Sequence, residues 1–124
     1  MPTITVPCVG MHFRPPAKAI MALLPAGQQL ILEPEPENPY DEFAVKVLLD
    51  HAELTEEHWQ ELEIPLLNYG MERSELEQEP IHLGYVARTH SQAMARTLAS
   101  GRAYTAVLGF DPLKGLPQVI VTVE

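Results

Sequence analysis

Residues 28–49 have the sequence QQLILEPEPENPYDEFAVKVLL, in which two apolar segments flank an acidic, proline-rich turn. Residues 28–35 and 43–49 predict β-strands, because closely spaced aliphatic residues are bounded there by turn-forming Pro, Asn and Asp. In the second segment, Val45 and Val47 fall on the same face of the strand. The stretch therefore predicts a β-hairpin.

The turn of this hairpin, NPYD at 38–41, is stiffer than a hairpin connection requires. Pro39 fixes its own φ angle and favours an extended conformation at Asn38. Asp41 can accept hydrogen bonds from nearby backbone N–H groups, as Asx residues do in turns. Tyr40 adds a large amphipathic ring. Either Asp41 only caps the turn, or the turn is a rigid platform that presents Tyr40 and Asp41 to a ligand.

The rest of the chain outside its acidic segment predicts four more strands and two short helices. The strands are predicted at 3–13, 81–86, 102–110 and 117–123, and the helices at 17–24 and 91–99. In the first strand, Pro7 indicates an edge or a bulge. Before the second helix, Thr89 and Gln92 match a capping box.

The acidic segment, residues 51–80, interrupts this pattern as an insertion. Within it, residues 54–67 predict a short helix that Thr55 caps, with acidic side chains where the helix dipole favours them. Trp59 and Leu62 are three residues apart, so one face of this helix can pack against the body of the protein.

The element order is β-α-β-β-(acidic insertion)-β-α-β-β, which predicts a mostly β fold. We expect a small, mostly antiparallel six-stranded barrel with two short helices covering its ends. An open α+β sheet is the alternative. At 124 residues the chain is expected to form one domain, residues 1–124, with residues 51–80 inserted in it.

Composition and chain termini predict a soluble, cytoplasmic protein. The single cysteine, Cys8, excludes an intramolecular disulfide and fits a reducing compartment. The N-terminal residues MPTITVPCVG lack the basic and apolar regions of a signal peptide. No apolar run approaches the ~18 residues of a membrane span, so we expect no membrane partner.

The net charge of −9 is unevenly distributed along the chain. Residues 51–80 contain nine glutamates and one arginine, whereas residues 81–124 carry a small positive excess. Since the acidity is concentrated in one segment, the net charge does not exclude a nucleic-acid-binding face elsewhere. It also gives no positive support for one.

The motifs of the common enzyme classes are missing from this sequence. It contains no P-loop and none of the GxGxxG, GxSxG and HExxH patterns. Its five histidines are scattered, and the acidic stretch 53–63 lacks the spacing of a calcium loop. A lone cysteine in a strand, such as Cys8, is more typical of packing than of catalysis. We therefore expect no enzymatic activity, no metal ion and no cofactor.

Several polar and aromatic residues fall at strand ends and turns, where a binding site could form. Each has a simpler interpretation, because aromatic side chains at strand ends usually pack in the core and single charges are usually solvated. Together they provide stacking surfaces, a carboxylate acceptor and a cation, which a single-stranded nucleic-acid pocket requires. The candidates are His12, Phe13, Tyr40, Asp41, Tyr85, Arg88 and Phe110.

Three segments of the sequence resemble the HIRAN domain family. They are VGMHFRPP (9–16), LILEPEPENPYDEFAVKV (30–47) and IHLGYVARTHSQAMARTLASG (81–101), and they cover most of the chain outside 51–80. The resemblance implies an OB-like six-stranded barrel with two helices. It also implies a DNA-binding module of the kind found in Swi/Snf-class DNA translocases and as standalone bacterial or phage proteins, with a role in DNA repair.

The resemblance implies roles for individual residues, because the pocket of the best-understood members holds the 3′ end of single-stranded DNA. Asp41 would accept a hydrogen bond from the terminal 3′-hydroxyl group, which is a charge-assisted contact. Tyr40 would stack on or flank the terminal nucleotide. Tyr85 and Arg88 would meet backbone phosphates.

Further matches and one departure complete the resemblance. Gly10 would let a base lie against the first strand, and Phe110 would pack on a base. Where DNA-binding members have an Arg-Tyr pair after the first strand, this chain has His12 and Phe13. Losing a permanent cation predicts weaker DNA binding, because such cations carry much of the affinity. Arg14 is the candidate replacement.

The acidic insertion suggests an alternative function as a protein-interaction module. A carboxylate-rich face can mimic phosphates and steer a basic partner toward itself electrostatically. The protein would then dock on a basic surface of a partner. Alternatively, it would act as a DNA mimic that occupies the nucleic-acid channel of an enzyme. The candidate residues for this contact are Glu53, Glu56, Glu57, Glu61 and Glu63.

Overall fold

Six antiparallel strands close into a barrel in the computed structural model, which describes residues 2–124. Around the barrel the strand order is β1-β4-β3-β2-β5-β6. The strands are β1 (Thr3–Val9), β2 (Gln29–Pro34), β3 (Val45–Leu49), β4 (Ile81–Val86), β5 (Tyr104–Phe110) and β6 (Pro117–Val123). The predicted barrel is therefore confirmed, and the open sheet is excluded.

The strand β1 closes the barrel by pairing with two neighbours in succession. Its residues 3–7 pair with β6, and Cys8 and Val9 pair with β4. Pro7 lies at the change of partner, opposite Gln118, and its carbonyl accepts a hydrogen bond from the backbone N–H of Ala87. Pro7 therefore does not mark an open edge, because the barrel covers both sides of this strand.

Alternating side chains of the strands fill the barrel interior. In β6, Val119, Val121 and Val123 are buried, and the residues between them are partly exposed. In β3, Val45 and Val47, which were predicted to share a face, are both fully buried. This two-residue period is what a strand with one face in the core requires.

Within residues 2–124, four α-helices accompany the barrel: α1 (Ala17–Met21), α2 (Glu56–Asn68), α3 (Arg73–Leu76) and α4 (Arg88–Ala99). The fourth helix begins at Arg88, three residues earlier than predicted. Its N-cap is Ala87, which makes no side-chain cap, and the hydroxyl of Thr89 lies 3.0 Å from Nδ1 of His90. The predicted capping box at Thr89 is therefore wrong. Two of the four helices, α2 and α3, belong to the acidic segment, and the other two are the pair predicted for the barrel.

The acidic segment shares the barrel's core. Helix α2 begins after Thr55, whose hydroxyl accepts a hydrogen bond from the backbone N–H of His58, as a cap does. Trp59, Leu62 and Leu66 are buried in the same apolar cluster as the strands. The predicted helix and its packing face are confirmed.

The first strand is shorter than predicted because of Gly10. This residue has φ +85°, a left-handed conformation that L side chains rarely adopt, and it begins a 3₁₀ turn at Met11–Phe13. The turn carries the chain away from the barrel wall after Val9.

No helix formed by residues 2–124 combines the length and the apolar character needed to cross a membrane.

Candidate nucleic-acid interface

The NPYD turn is organised by the side chain of Asn38. Its Oδ1 accepts hydrogen bonds from the backbone N–H groups of Tyr40 (2.9 Å) and Asp41 (3.1 Å). Asp41 in turn accepts one from the backbone N–H of Phe43 (2.9 Å) through Oδ1. Two consecutive Asx-type contacts therefore fix this connection. Capping by Asp41 was predicted from the sequence and capping by Asn38 was not, although Asn at the first turn position signals such a contact.

The carboxylate of Asp41 is bound from helix α4. The hydroxyl of Ser91, which is only 2% exposed, donates a hydrogen bond to Oδ2 of Asp41 at 2.7 Å. This hydrogen bond, followed by the one from Phe43 and by the charge of Arg88, lowers the pKa of Asp41 below its ordinary value. Asp41 is therefore ionised at neutral pH. An ionised carboxylate has about four acceptor positions, so it retains capacity for a ligand.

Two adjoining hollows open beside this turn. The larger, of about 500 Å³, lies between the turn and the first residues of α4. The smaller, of about 140 Å³, lies between the turn and the ends of β1 and β4. Asn38 and three predicted site residues line both hollows, and Tyr85 lines the smaller hollow. We therefore treat the two hollows as one depression, the Asp41 pocket. Four predicted residues therefore meet there: Tyr40, Asp41, Tyr85 and Arg88.

A hydrogen-bond network around Glu35 joins the turn to the pocket wall. Oε1 of Glu35 accepts from Nδ2 of Asn38 (2.7 Å) and from the hydroxyl of Tyr85 (2.9 Å). The other oxygen lies 3.2 Å from Nζ of Lys46. Burial alone would raise the pKa of Glu35, but the contacts with Asn38, Tyr85 and Lys46 outweigh it and lower the pKa. Arg14 extends the network, because its Nη2 donates to the hydroxyl of Tyr85 at 3.2 Å.

The ring of Tyr85 contacts the guanidinium group of Arg14 and the ring of His82. The guanidinium carbon of Arg14 lies 5.4 Å from the ring centroid, within cation–π range. The ring of His82 meets it edge-on, with centroids 4.8 Å apart. Burial, followed by the charge of Arg14, lowers the pKa of His82 to about 4, so this histidine is neutral near pH 7.

The remaining predicted site residues lie outside the Asp41 pocket. Gly10 is beside it, since a Cβ there would lie 3.8 Å from Cδ2 of Tyr85. His12 and Phe13 are exposed on the 3₁₀ turn, and Phe13 lines a separate hollow with Arg14 and residues 75–76 and 79–82. Phe110 ends β5 and lines neither part of the pocket. The structure therefore joins four of the eight predicted residues and places a fifth next to them.

The five glutamates of the acidic segment that were predicted to bind a partner face three different surroundings. Within residues 2–124, no member of 51–80 lines the Asp41 pocket. Glu56 and Glu63 line a groove between α2 and α3, whereas Glu53 lines a hollow beside β2 and β5. Glu57 and Glu61 lie on the exposed outer face of α2. The five residues predicted as one partner-binding face therefore belong to separate surfaces.

Other reactive or metal-binding arrangements are not evident among the described residues. Cys8 is buried in β1, and burial raises the pKa of its thiol to about 12. Such a thiol is protonated at neutral pH and a poor nucleophile. No group of three or more His, Cys, Asp or Glu in residues 2–124 could hold a metal ion.

Comparisons with known proteins agree with this architecture. The family model of the HIRAN domain matches residues 2–119. A crystal structure of a protein from Lactobacillus plantarum superposes with a TM-score of 0.60 at 19% identity, covering 97% of this chain and 93% of that one. The crystal structure of the HIRAN domain of human HLTF gives 0.57 at 14% identity, covering 98% and 74%. At these identities the two structures establish the fold alone. A search of curated proteins found no match.

Proposed function

This chain belongs to the HIRAN domain family, whose domains are DNA-binding modules, and we propose that it binds the 3′-hydroxyl end of single-stranded DNA in the Asp41 pocket. The proposed activity is recognition without catalysis. It would place the protein at exposed DNA ends, such as those formed during repair.

The observation that carries this proposal is the environment of the Asp41 carboxylate. Ser91 and the backbone of Phe43 hold it in place and keep it ionised, and it still has free acceptor capacity in an open pocket. A free 3′-hydroxyl is a donor and would form a charge-assisted bond with this group. A 3′ end without the hydroxyl would leave the remaining acceptor positions of the carboxylate unfilled.

The side chains around Asp41 suit a terminal nucleotide. The ring of Tyr40 is 83% exposed although the Asn38 contacts hold its backbone rigidly. A ring presented from a fixed backbone position is accessible to a base, and stacking on it tolerates every base. Arg88 opens onto the same pocket and would neutralise a backbone phosphate.

Arg14 supports the proposal at the position where the sequence departs from DNA-binding members. His12 and Phe13 replace the family's Arg-Tyr pair, but the 3₁₀ turn brings Arg14 to the hydroxyl of Tyr85. We propose that Arg14 replaces the missing cation. With few cations near the pocket, binding is expected to be weak and to decline only gradually as salt is raised, because the salt dependence scales with the number of phosphates neutralised.

Two variants of neighbouring acids test the proposal. Asp41→Asn removes one charge and the ionised acceptor, whereas Glu42→Gln removes one charge from an exposed neighbour that also lines the larger hollow. Binding of a labelled single strand with a 3′-hydroxyl is compared with that of the same strand ending in a dideoxynucleotide. The native protein and Glu42→Gln should prefer the hydroxyl end by roughly 10-fold or more.

Asp41→Asn should lose most of this preference, because its neutral amide oxygen can form only a weaker bond with the 3′-hydroxyl than the charge-assisted one. The preference is the measured quantity, since removing a negative charge alters total DNA affinity in both variants. An equal affinity of the native protein for the two ends would refute end recognition. A preference that is undiminished in Asp41→Asn would refute the assignment of the site.

A further inference from the structure

Helix α2 exposes apolar side chains that the fold does not need. Its inner face is already occupied by buried residues, Trp59, Leu62 and Leu66. Yet Ile64 and Leu67 on the other faces are 69% and 75% exposed. Large apolar groups that remain solvated in a charged helix are candidates for contact with a partner.

One exposed stripe of α2 forms a groove with the start of α3. Residues 56, 60, 63 and 67 follow the spacing i, i+4, i+7, i+11, which aligns them along one side of a helix. Opposite them lie Met71, Glu72 and Arg73, and the groove between the two walls has a volume of about 450 Å³. Trp59 and Leu66 also contribute to its lining. The groove is therefore apolar inside and polar along both walls.

The charges on these walls define what the groove can accept. Glu63 contributes a carboxylate from α2, and Glu72 contributes one from the opposite wall. The segment 51–80 contains nine glutamates and one basic residue, Arg73. An acidic groove attracts a cationic partner and repels DNA. A second copy of this chain would present the same acidic surface, so self-association through the groove is opposed.

Arg73 shows how a cation binds beside this groove. The guanidinium carbon of Arg73 lies 4.6 Å from a ring centroid of Trp59. Its two terminal nitrogens donate to the two carboxylate oxygens of Glu56, at 2.8 and 3.0 Å. This two-pronged geometry is the strongest form of carboxylate recognition by arginine. Glu63 and Glu72 are left to bind further cations.

We propose that the groove between α2 and α3 docks a partner protein through a basic amphipathic segment. An apolar side chain of that segment would cover Leu67 and Met71, and flanking Lys or Arg residues would pair with Glu63 and Glu72. The surface is separate from the Asp41 pocket, so the protein could engage a basic partner and a DNA end at the same time. The protein-interaction function predicted for residues 51–80 is thereby restricted to one surface, the groove between α2 and α3.

The test uses a defined peptide and the only tryptophan of the chain, Trp59, as reporter. The probe is an amphipathic helical peptide of Lys and Leu, about 14 residues long, with its Leu residues on one face. A peptide of identical composition with the Leu residues scattered is the control. The amphipathic peptide should change the Trp59 emission and bind at least about tenfold more tightly than the scattered one.

Two matched pairs of variants locate the contact on the protein. Leu67→Gln should weaken binding about tenfold, whereas Ile64→Gln, equally exposed but outside the groove, should change it less than about twofold. In the same way, the double variant Glu63→Gln/Glu72→Gln should weaken binding more than Glu57→Gln/Glu61→Gln. Both doubles remove two charges, so general electrostatic attraction predicts equal losses.

Three outcomes would overturn the proposal. The first is an absence of any emission change at ~1 mM amphipathic peptide, which would exclude even weak docking. The second is equal weakening within either matched pair, which would reduce the effect to net charge or general hydrophobicity. The third is a concentration-dependent dimer in sedimentation that Leu67→Gln abolishes, which would assign the groove to a second copy of the chain.

Discussion

Removing the carboxylate of Glu35 tests how the Asp41 pocket is held together. Glu35 is the acceptor for Nδ2 of Asn38 and for the hydroxyl of Tyr85, and it pairs with Lys46. It therefore connects the NPYD turn to strands β3 and β4. The substitution Glu35→Ala should destabilise the protein, because both neutral donors lose an ionised partner.

The size of the effect follows from these contacts. A hydrogen bond to a charged group contributes ~1.5–3 kcal/mol when buried. The side chain of Glu35 is 23% exposed, so solvent screening reduces each of its two bonds to about 1 kcal/mol. The pair with Lys46 adds ~0.5 kcal/mol or less. We expect Glu35→Ala to lower the free energy of unfolding by about 2 kcal/mol.

Glu33 provides a matched control two residues earlier in β2. It approaches the same Lys46 at 3.8 Å, but its side chain is 55% exposed. A surface pair of this kind contributes ~0.5 kcal/mol or less, so Glu33→Ala should be nearly neutral. Both variants are compared with the native protein by urea denaturation at pH 7. Equal losses of stability in the two variants would refute the reasoning.

The same carboxylate predicts a dependence on pH. The contacts lower the pKa of Glu35 below its ordinary value of 4.5, so the ionised form stabilises the folded state. This contribution is complete above pH 4.5 and is lost as the pH falls through the lower pKa of the folded state. The difference in unfolding free energy between the native protein and Glu35→Gln should therefore be constant near neutrality and shrink under acid conditions. A gap that widens toward low pH would contradict the assignment.

Two further substitutions test contacts elsewhere in the domain. Ser91→Ala removes the main cause of the lowered pKa of Asp41, so the pKa of Asp41 should rise in an NMR titration of its carboxyl carbon. An unchanged pKa would show that Ser91 does not bind the carboxylate of Asp41. Gly84→Ala would place a Cβ 2.5 Å from the backbone oxygen of Val9 and should lower the unfolding free energy by roughly 2–3 kcal/mol in urea denaturation. Gly109→Ala is its control, because the Cβ there meets only the end of an isoleucine side chain, and a similar loss in both would refute the argument.

The sequence by itself determined the local elements and much of their order. Residues 117–123 contain five consecutive β-branched residues, and the strand Pro117–Val123 has the predicted bounds. Thr55 predicted the start of α2, because a cap depends on residues only a few positions apart. The same locality made the rigid NPYD turn recognisable. Patterns of this range are set by neighbours along the chain, so they are visible before folding.

Only the tertiary structure decided which side chains meet in the pocket. Ser91 binds Asp41 across 50 positions of sequence, and Arg14 binds Tyr85 across 71. Neither pairing leaves a pattern in the chain, because both depend on how the barrel closes and where α4 packs. Phe110 stands outside the pocket for the same reason, although its sequence context resembled that of the other candidates. Contacts between distant segments are fixed by packing of the whole core, and that packing is a property of the folded domain.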